Sequence, residues 1–428
     1  MDSPSGSRPP PSDQLRVSVA RNQARIARDL WRRLQPLARG TPAALQSLLA
    51  DRRFGSRDRR LYREILLTAI RHARVLASLA DSEDETWAAP LALACAANRD
   101  TALFREAFAA AAASAAPCEA LAKKGPTALD LVPEWFAAEV DTGEPAASVA
   151  AALLTRAPLW VRIQSDDPAV IFAEWAALNW TATPHPTLPD AWRLPAETPA
   201  TSSLAYEAGH YEIQDLGSQL ILASLNIDPA TAPAARWLDA CAGAGGKTLQ
   251  LARLLGPAAQ VDATDIRPAA LNELRVRATR AGLRTIRTVP QLAPSHLGSY
   301  DGVLVDAPCS GSGTWRRSPH LMACTTLADL DDAAALQGRL LADLARYVRP
   351  GGLLVYATCS VFRRENRAVA TAFLAAHAAD FNAEPSTRDF GFSPLADGPA
   401  GLAITPGLQD NDGFYVAAFR RRQATTPL

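Results

Sequence analysis

The stretch Val303-Leu304-Val305-Asp306-Ala307-Pro308-Cys309-Ser310-Gly311-Ser312-Gly313-Thr314-Trp315-Arg316-Arg317 decides how this chain is read. An apolar run rises to an acid, breaks on a proline beside a cysteine, then passes through glycines to two arginines. A buried parallel strand delivers reactive side chains in this way, to a crevice at its C-terminal end. A second run, Tyr356-Ala357-Thr358-Cys359-Ser360, follows Arg349-Pro350-Gly351-Gly352 and also stops on a cysteine. A lone strand-end cysteine is more simply a small buried hydrophobe. Two of them on neighbouring strands, one beside an Asp-Pro turn, would put two thiols in one crevice.

Outward from these runs, strands and helices alternate from Arg236 onward. The pattern predicts strands at 236–240, 261–265, 285–289, 301–306, 352–357, 381–384 and 413–419, and helices near 246–255, 268–281, 330–347 and 363–378. Such alternation implies an α/β fold, a mostly parallel seven-stranded sheet with helices on both faces. Upstream, Val17 to about Val140 is Ala/Leu-rich with three- and four-residue apolar spacing, as in Ile26, Leu30, Leu34 and Leu37, and reads as all-helical. Asp141 to Pro145 reads as a linker, Pro158 to Gln164 as a strand, and Thr181 to Ser203 as loop or extended chain. The expected organisation is a tail over 1–14, a helical domain over 15–142, a small α+β domain over 150–230 and a nucleotide-type α/β domain over 231–423.

Within the first α/β turn, Trp237-Leu238-Asp239-Ala240-Cys241-Ala242-Gly243-Ala244-Gly245-Gly246-Lys247-Thr248 is strand, tight turn and helix start. A phosphate-binding G-x-x-x-x-G-K-T loop would need glycine where Cys241 stands, and G-x-G-x-x-G fails because its last position is Thr248. What remains is an acid-to-glycine turn with amides open at a helix N-terminus. Such a turn, Cys241 to Lys247, can hold the amino-acid end of S-adenosylmethionine. Asp265, ending the next strand, is placed for ribose hydroxyls.

The 428 residues carry 44 basic and 44 acidic side chains, so net charge gives no argument for a nucleic-acid partner. The distribution is uneven: residues 1–80 hold 16 arginines against 6 acids. Ser56 to Glu64 sets Arg57, Arg60 and Arg63 along one helix flank, either an RNA-facing stripe or solvated surface. Lysine occurs only at 123, 124 and 247, so Lys247 inside the glycine turn is singled out. The six cysteines (95, 118, 241, 309, 324, 359) show neither zinc-site nor disulfide spacing and are expected as free thiols in the cytoplasm. Cys95, Cys118 and Cys324 are read as structural. No run approaches the roughly 18 apolar residues of a membrane span, and no metal, membrane or obligatory protein partner is expected.

An acid and two thiols suit one demanding reaction. Carbon 5 of a pyrimidine is too weak a nucleophile to take a methyl group directly, and a thiolate adding to carbon 6 activates it. A second acid/base group must then help the carbon 5 proton and the thiolate to leave, and a carboxyl beside the ring nitrogen, such as Asp306, would stabilise the addition. A stacked base must also be turned out to reach the pocket.

At these residues the chain resembles the RNA 5-methylcytosine methyltransferases of the NOL/NOP/Sun family, and within it the bacterial 16S rRNA type. Asp239 to Thr248 is similar to the family's D-A-C-A-A-P-G-G-K-T, Asp306 to Arg317 to its D-A-P-C-S-G-x-G-x-x-R-R, and Tyr356 to Ser360 to its Y-x-T-C-S. Gln214-Asp215 with Ser218-Gln219 looks like its Q-D-x-x-S-Q element, and Asp412 to Tyr415 like its closing D-G-F-F. The resemblance implies a Rossmann-like fold binding S-adenosylmethionine through Cys241, Ala242, Gly243, Ala244, Gly245, Gly246, Lys247, Asp265 and Asp306. It also implies Cys359 as the nucleophile, Cys309 as the helper in elimination, and Asp306 as a lining acid. The N-terminal helices more loosely resemble a NusB-like RNA-binding domain, which favours 16S rRNA as partner. Three positions depart from the family: Gly243-Ala244 replaces Ala-Pro, Thr288 to Gln291 lacks an acid for the adenine, and Gln164 stands where Asn is usual. The same chemistry on tRNA, and an RNA-binding assembly factor without strong catalysis, remain alternatives at this point.

Overall fold

The computed structural model describes residues 13–112, 127–225, 227, 234–392 and 401–423. Residues 1–12 of the expected tail and Cys118 lie outside them; a helix already begins at Asp13. The chain divides into two compact units, one of residues 1–136 with 318–324, the other of 137–317 with 325–428. Two expected boundaries differ from this division. The segment 318–324, predicted inside the α/β domain, clusters with the helices, where Pro319–Cys324 packs on Ser56–Arg71. The predicted linker over 141–145 is pinned within the second unit: the Asp141 amide donates to the Val361 carbonyl, and Arg367 donates to the Asp141 carboxylate.

The first unit is helical among its described residues. Asp13–Leu34 and Ser56–Arg71 each bury one apolar stripe, Asp84–Ala94 is buried on all sides from Trp87 to Ala92, and Ala24, Ala27, Leu30, Leu61, Ile65, Leu66, Trp87 and Phe104 share one core. Such stripes, three to four residues apart, make helix-on-helix packing the only way to shed their water.

The second unit begins with a small antiparallel sheet, β1 (Leu159–Ile163), β2 (Thr183–Pro184), β3 (Ala191–Leu194) and β4 (Tyr211–Ile213), in the order β2-β3-β1-β4. The proline-rich stretch 181–203 therefore holds two short strands and is not simply loop.

The large sheet holds β5 (Arg236–Asp239), β6 (Gln260–Ala263), β7 (Ile286–Thr288), β8 (Tyr300–Asp306), β9 (Val348–Thr358), β10 (Phe381–Glu384), β11 (Gly401–Ile404) and β12 (Phe414–Arg421). Its order is β10-β12-β9-β8-β5-β6-β7, with β11 on β12. Seven strands match the predicted ones, and β11 is an eighth. The pairings from β7 through β9 are parallel, and those involving β12 antiparallel. Alternate residues feed two cores. Trp237, Leu304 and Val355 join helices Leu216–Ala223 and Gly246–Leu255 on one face. Leu238, Val303, Val305, Leu354 and Tyr356 join Leu327–Ala345 and Arg367–Ala376 on the other. The chain runs outward from β5 through β6 to β7, then returns to β8 on the opposite side. That reversal opens a crevice at the strand C-termini.

Candidate active site

β5, β8 and β9 all deliver their last residues to that crevice. Residue pairs Asp239 with Leu304 and Asp306 with Ala357 fix the three ends level with one another. The turns after β8 and β9 bring Cys309 Sγ and Cys359 Sγ to 3.3 Å. Both cysteines are half-buried free thiols. The Cys359 carbonyl accepts the Gly313 amide at 2.9 Å, and the Gly313 carbonyl accepts the Gly413 amide at 2.8 Å. A Cβ on Gly313 would lie 1.9 Å from the Gly413 oxygen, so only glycine lets these two backbones close over the thiol turn.

Asp306 ends β8 with its side chain 30% exposed, and Lys247 Nζ donates to its Oδ2 at 2.8 Å. Burial alone would lower the Lys247 pKa; the charge and hydrogen bond of Asp306, and then the charges of Cys359 and Asp239, outweigh it and hold the ammonium above its ordinary value. The Cys309 thiol is pushed well above the ordinary thiol range by its hydrogen bond with Cys359, by burial and by the charge of Glu365.

The glycine turn closes as predicted. Gly245 has φ +90° and begins the helix Gly246–Leu255, and Gly243 has φ +54°. Asp265 Oδ2 accepts the Gly243 amide at 2.9 Å, while Arg267 binds both carboxylate oxygens. The acid proposed for a ribose therefore also holds the glycine turn, and Arg267, with its backbone amide, lowers its pKa. Asp239 is buried, accepts Thr248 Oγ1 at 2.7 Å, and is pushed up to about 7 by burial, opposed by that hydrogen bond and reinforced by the charge of Asp306. Burial and the carboxylates of Asp239, Asp306 and Asp265 push the Cys241 thiol up to about 12, which makes it unreactive. A Cβ on Gly246 would meet nothing within 4 Å, and Ala244 is exposed beside it. An open, amide-lined helix start of this kind fits the amino-acid end of S-adenosylmethionine.

Residues that the sequence did not single out complete the site. Glu365, Gln337 and Asn366 are buried behind the thiol turns. Asn366 accepts Thr358 Oγ1 at 2.6 Å and donates to the Ser360 carbonyl at 2.9 Å. The matched elements outside the crevice act as clamps: Arg317 donates to both Asp215 and Asp412, and Asp215 caps the helix Leu216–Ala223 through the Gly217 amide. Among the described residues, no group of three or more His, Cys, Asp or Glu side chains is arranged to hold a metal ion, and no helix is long and apolar enough to cross a membrane.

Residues 226–420 match the family model of the 16S rRNA methyltransferase RsmB/F. Over 295 residues, 67% of this chain, the sequence is 36% identical to ribosomal RNA small subunit methyltransferase B of Xanthomonas campestris and 35% identical to that of Xylella fastidiosa. The chain belongs to this methyltransferase family. It spans about two thirds of the curated relatives' length, 65% and 67% respectively. Among solved structures, a methyltransferase homolog from Pyrococcus horikoshii matches 71% of this chain and 97% of its own at 24% identity, with a TM-score of 0.56. NSun6 from Pyrococcus horikoshii with SFG matches 64% and 94% at 18% identity, with a TM-score of 0.57. At these identities the likeness is one of fold.

Proposed function

We propose that this chain methylates carbon 5 of a cytosine in RNA, with 16S rRNA as the substrate class. The observation that carries the reading is the 3.3 Å meeting of Cys309 and Cys359 beside the Lys247–Asp306 pair. Membership of the RsmB/F family and the ribosomal RNA names of its relatives support the substrate.

Cys359, as thiolate, adds to carbon 6 of the cytosine: a sulfur–carbon bond forms and the ring double bond becomes an enamine centred on carbon 5. Asp306 stabilises the proton held at the ring nitrogen between the carbonyl and amine carbons during the addition, and Lys247 keeps that carboxylate in place. Cys241 to Lys247 and Asp265 would hold S-adenosylmethionine, which would supply the methyl group to carbon 5 by loss of its sulfonium–methyl bond, leaving S-adenosylhomocysteine. The carbon 5 proton then leaves, its electron pair restores the ring double bond, and the Cys359 thiolate is expelled. Cys309, 3.3 Å from Cys359, can hand its proton to the departing sulfur and take up the carbon 5 proton in its place. The cytosine gains one methyl group and the reaction releases one proton. In this reading the helical unit, the RNA-binding NusB-like part, supplies basic side chains for RNA phosphate, and the small sheet of 150–230 assists it. Arg57 and Arg60 lie within ion-pair range of Asp100, which leaves Arg63 as the stripe's strongest candidate for a phosphate. A reducing cytoplasm keeps both thiols free.

Cys359→Ala abolishes methylation while S-adenosylmethionine binding persists, and Cys309→Ala accumulates a covalent adduct with RNA. Bisulfite sequencing of 16S rRNA and tRNA from a deletion strain reports reaction and substrate together. Methylation by the Cys359 variant at the parent rate sinks the mechanism, and loss of a tRNA mark with rRNA intact moves the substrate.

A further inference from the structure

We propose that Glu365 is a positioning residue whose buried carboxylate holds both cysteine turns in register and sets its charge behind Cys309. The inference rests on reading Cys309 and Cys359 as the reacting groups. Glu365 has no exposed surface. Its Oε1 accepts the Ser310 amide at 2.7 Å and Gln337 Nε2 at 3.3 Å. Its Oε2 accepts Ser310 Oγ at 2.5 Å and Ser360 Oγ at 2.6 Å. Ser310 directly follows Cys309, and Ser360 directly follows Cys359, so one carboxylate grips the residue after each thiol.

The grip extends on both sides. Gln337 Nε2 also donates to the Pro308 carbonyl at 2.9 Å, just before Cys309. Ser360 Oγ accepts the Phe362 amide at 3.1 Å, and Tyr356 Oη donates to the Glu365 carbonyl at 2.5 Å. Four donors thus converge on one side chain. A carboxylate accepts at both ends; in an amide one end becomes a donor, which only the serine hydroxyls could accept. None of these four partners is a cation. A buried charge without a cationic partner is costly unless hydrogen bonds hold it, and a neutral tie between two turns would have been cheaper to bury. Cys309 is faced by Cys359, Glu365 and Tyr356, whereas the ammonium of Lys247 interacts with Cys359. An anion behind one thiol and a cation beside the other separate their roles.

Site-resolved iodoacetamide labelling of the full chain against pH, read by mass spectrometry, tests the electrostatic half without RNA. In Glu365→Gln the labelling midpoint of Cys309 falls by about one pH unit, because removing a neighbouring negative charge favours the thiolate. Single-turnover methylation falls by more than about tenfold with KM for S-adenosylmethionine little changed, as expected for lost geometry at the reacting groups. Glu365→Asp restores the midpoint but not the rate, since the shorter side chain keeps the charge and cannot span both serines. Should Glu365→Gln not fold, Ser310→Ala with Ser360→Ala removes the hydroxyl ties and leaves the Ser310 amide and Gln337 on the carboxylate, and it must lower the rate. A parent-like midpoint in folded Glu365→Gln, or a parent-like rate in the double serine variant, overturns the proposal. An unmethylated rRNA with the parent protein would instead count against the proposed reaction, and the labelling shift is read independently of it.

Discussion

Two kinds of turn meet in the crevice, and they are held in opposite ways. The turn after β5 is shaped by backbone: positive φ at Gly243 and Gly245, a carboxylate capping an amide, and a helix start left open. The turns after β8 and β9 are shaped by side chains, through a buried hydroxyl and carboxylate net around Glu365 with Asn366 beside it. The first arrangement leaves unfilled space suited to a ligand. The second fills its space and presents two sulfur atoms. A loop that must receive a small molecule is thus built from what it lacks, and a loop that must aim reactive atoms is built from what it packs.

Lys247 joins the two, rising from the glycine-loop helix to the acid that ends β8. Lys247→Met keeps the aliphatic stem near the Phe414 ring and removes the ammonium. The methylation rate is expected to fall on the order of a hundredfold, the scale seen when one preorganised donor is lost from an active site. Affinity for S-adenosylmethionine should change far less, because the glycine turn has its own supports. Single-turnover assays beside calorimetric titration separate the two effects. A variant that loses cofactor binding while keeping its rate at saturation would place Lys247 with the glycine loop alone.

The comparison also explains what could be read from the sequence. Backbone-shaped features have local spellings. The apolar runs of β5, β8 and β9, the glycines of the turn and the two strand-end cysteines are each set by neighbours in the chain. Glu365, Gln337 and Asn366 have no such spelling, because Glu365 meets Ser310 across 55 positions and Gln337 meets Pro308 across 29. The strands β2 and β3 were masked by prolines and by lengths of two and four residues. β11 is four residues long and pairs only with the last strand, so its apolar run carried no period. In the helical unit, spacing told of helices but not of their surface. The arginine flank looked continuous until Asp100, forty residues from Arg60, was found on it.

Within the glycine turn, adjacent glycines should answer differently to the same substitution. A Cβ on Gly245 would lie 2.7 Å from Leu274 Cγ and 2.9 Å from Leu249 Cδ1, at a φ of +90°. Left-handed strain and overpacking together predict a loss of about 2–4 kcal/mol for Gly245→Ala. Gly246→Ala meets open space and should leave stability within about 0.5 kcal/mol, as at a surface helix position, while weakening S-adenosylmethionine by filling its room. Urea denaturation and ligand titration of both variants test this directly. Equal destabilisation by the two would remove the distinction between a glycine kept for the fold and one kept for a ligand.

The smallest expected effect concerns charge on that turn, where two acids should respond to pH with opposite signs. Asp239 is raised to about 7 by burial, with Thr248 opposing and Asp306 reinforcing. The native state therefore holds an extra proton between the unfolded value near 3.8 and about 7, so this group's contribution to stability is present below that window and lost as pH rises through it. Asparagine in its place keeps an acceptor for Thr248 and cannot ionise. Relative to the parent, Asp239→Asn should gain about 1–3 kcal/mol between roughly pH 4 and pH 8. Asp265 is lowered by Arg267 and by the Arg267 and Gly243 amides, with burial opposing. Its contribution is present above its unfolded value and lost as pH falls through the lower folded one. Asp265→Asn should thus lose stability at neutral pH and converge on the parent in acid. Thermal melts of both variants across this range must diverge from the parent in opposite directions. Parallel curves would mean that the buried acid of β5 and the paired acid after β6 are not the electrostatic opposites their surroundings make them.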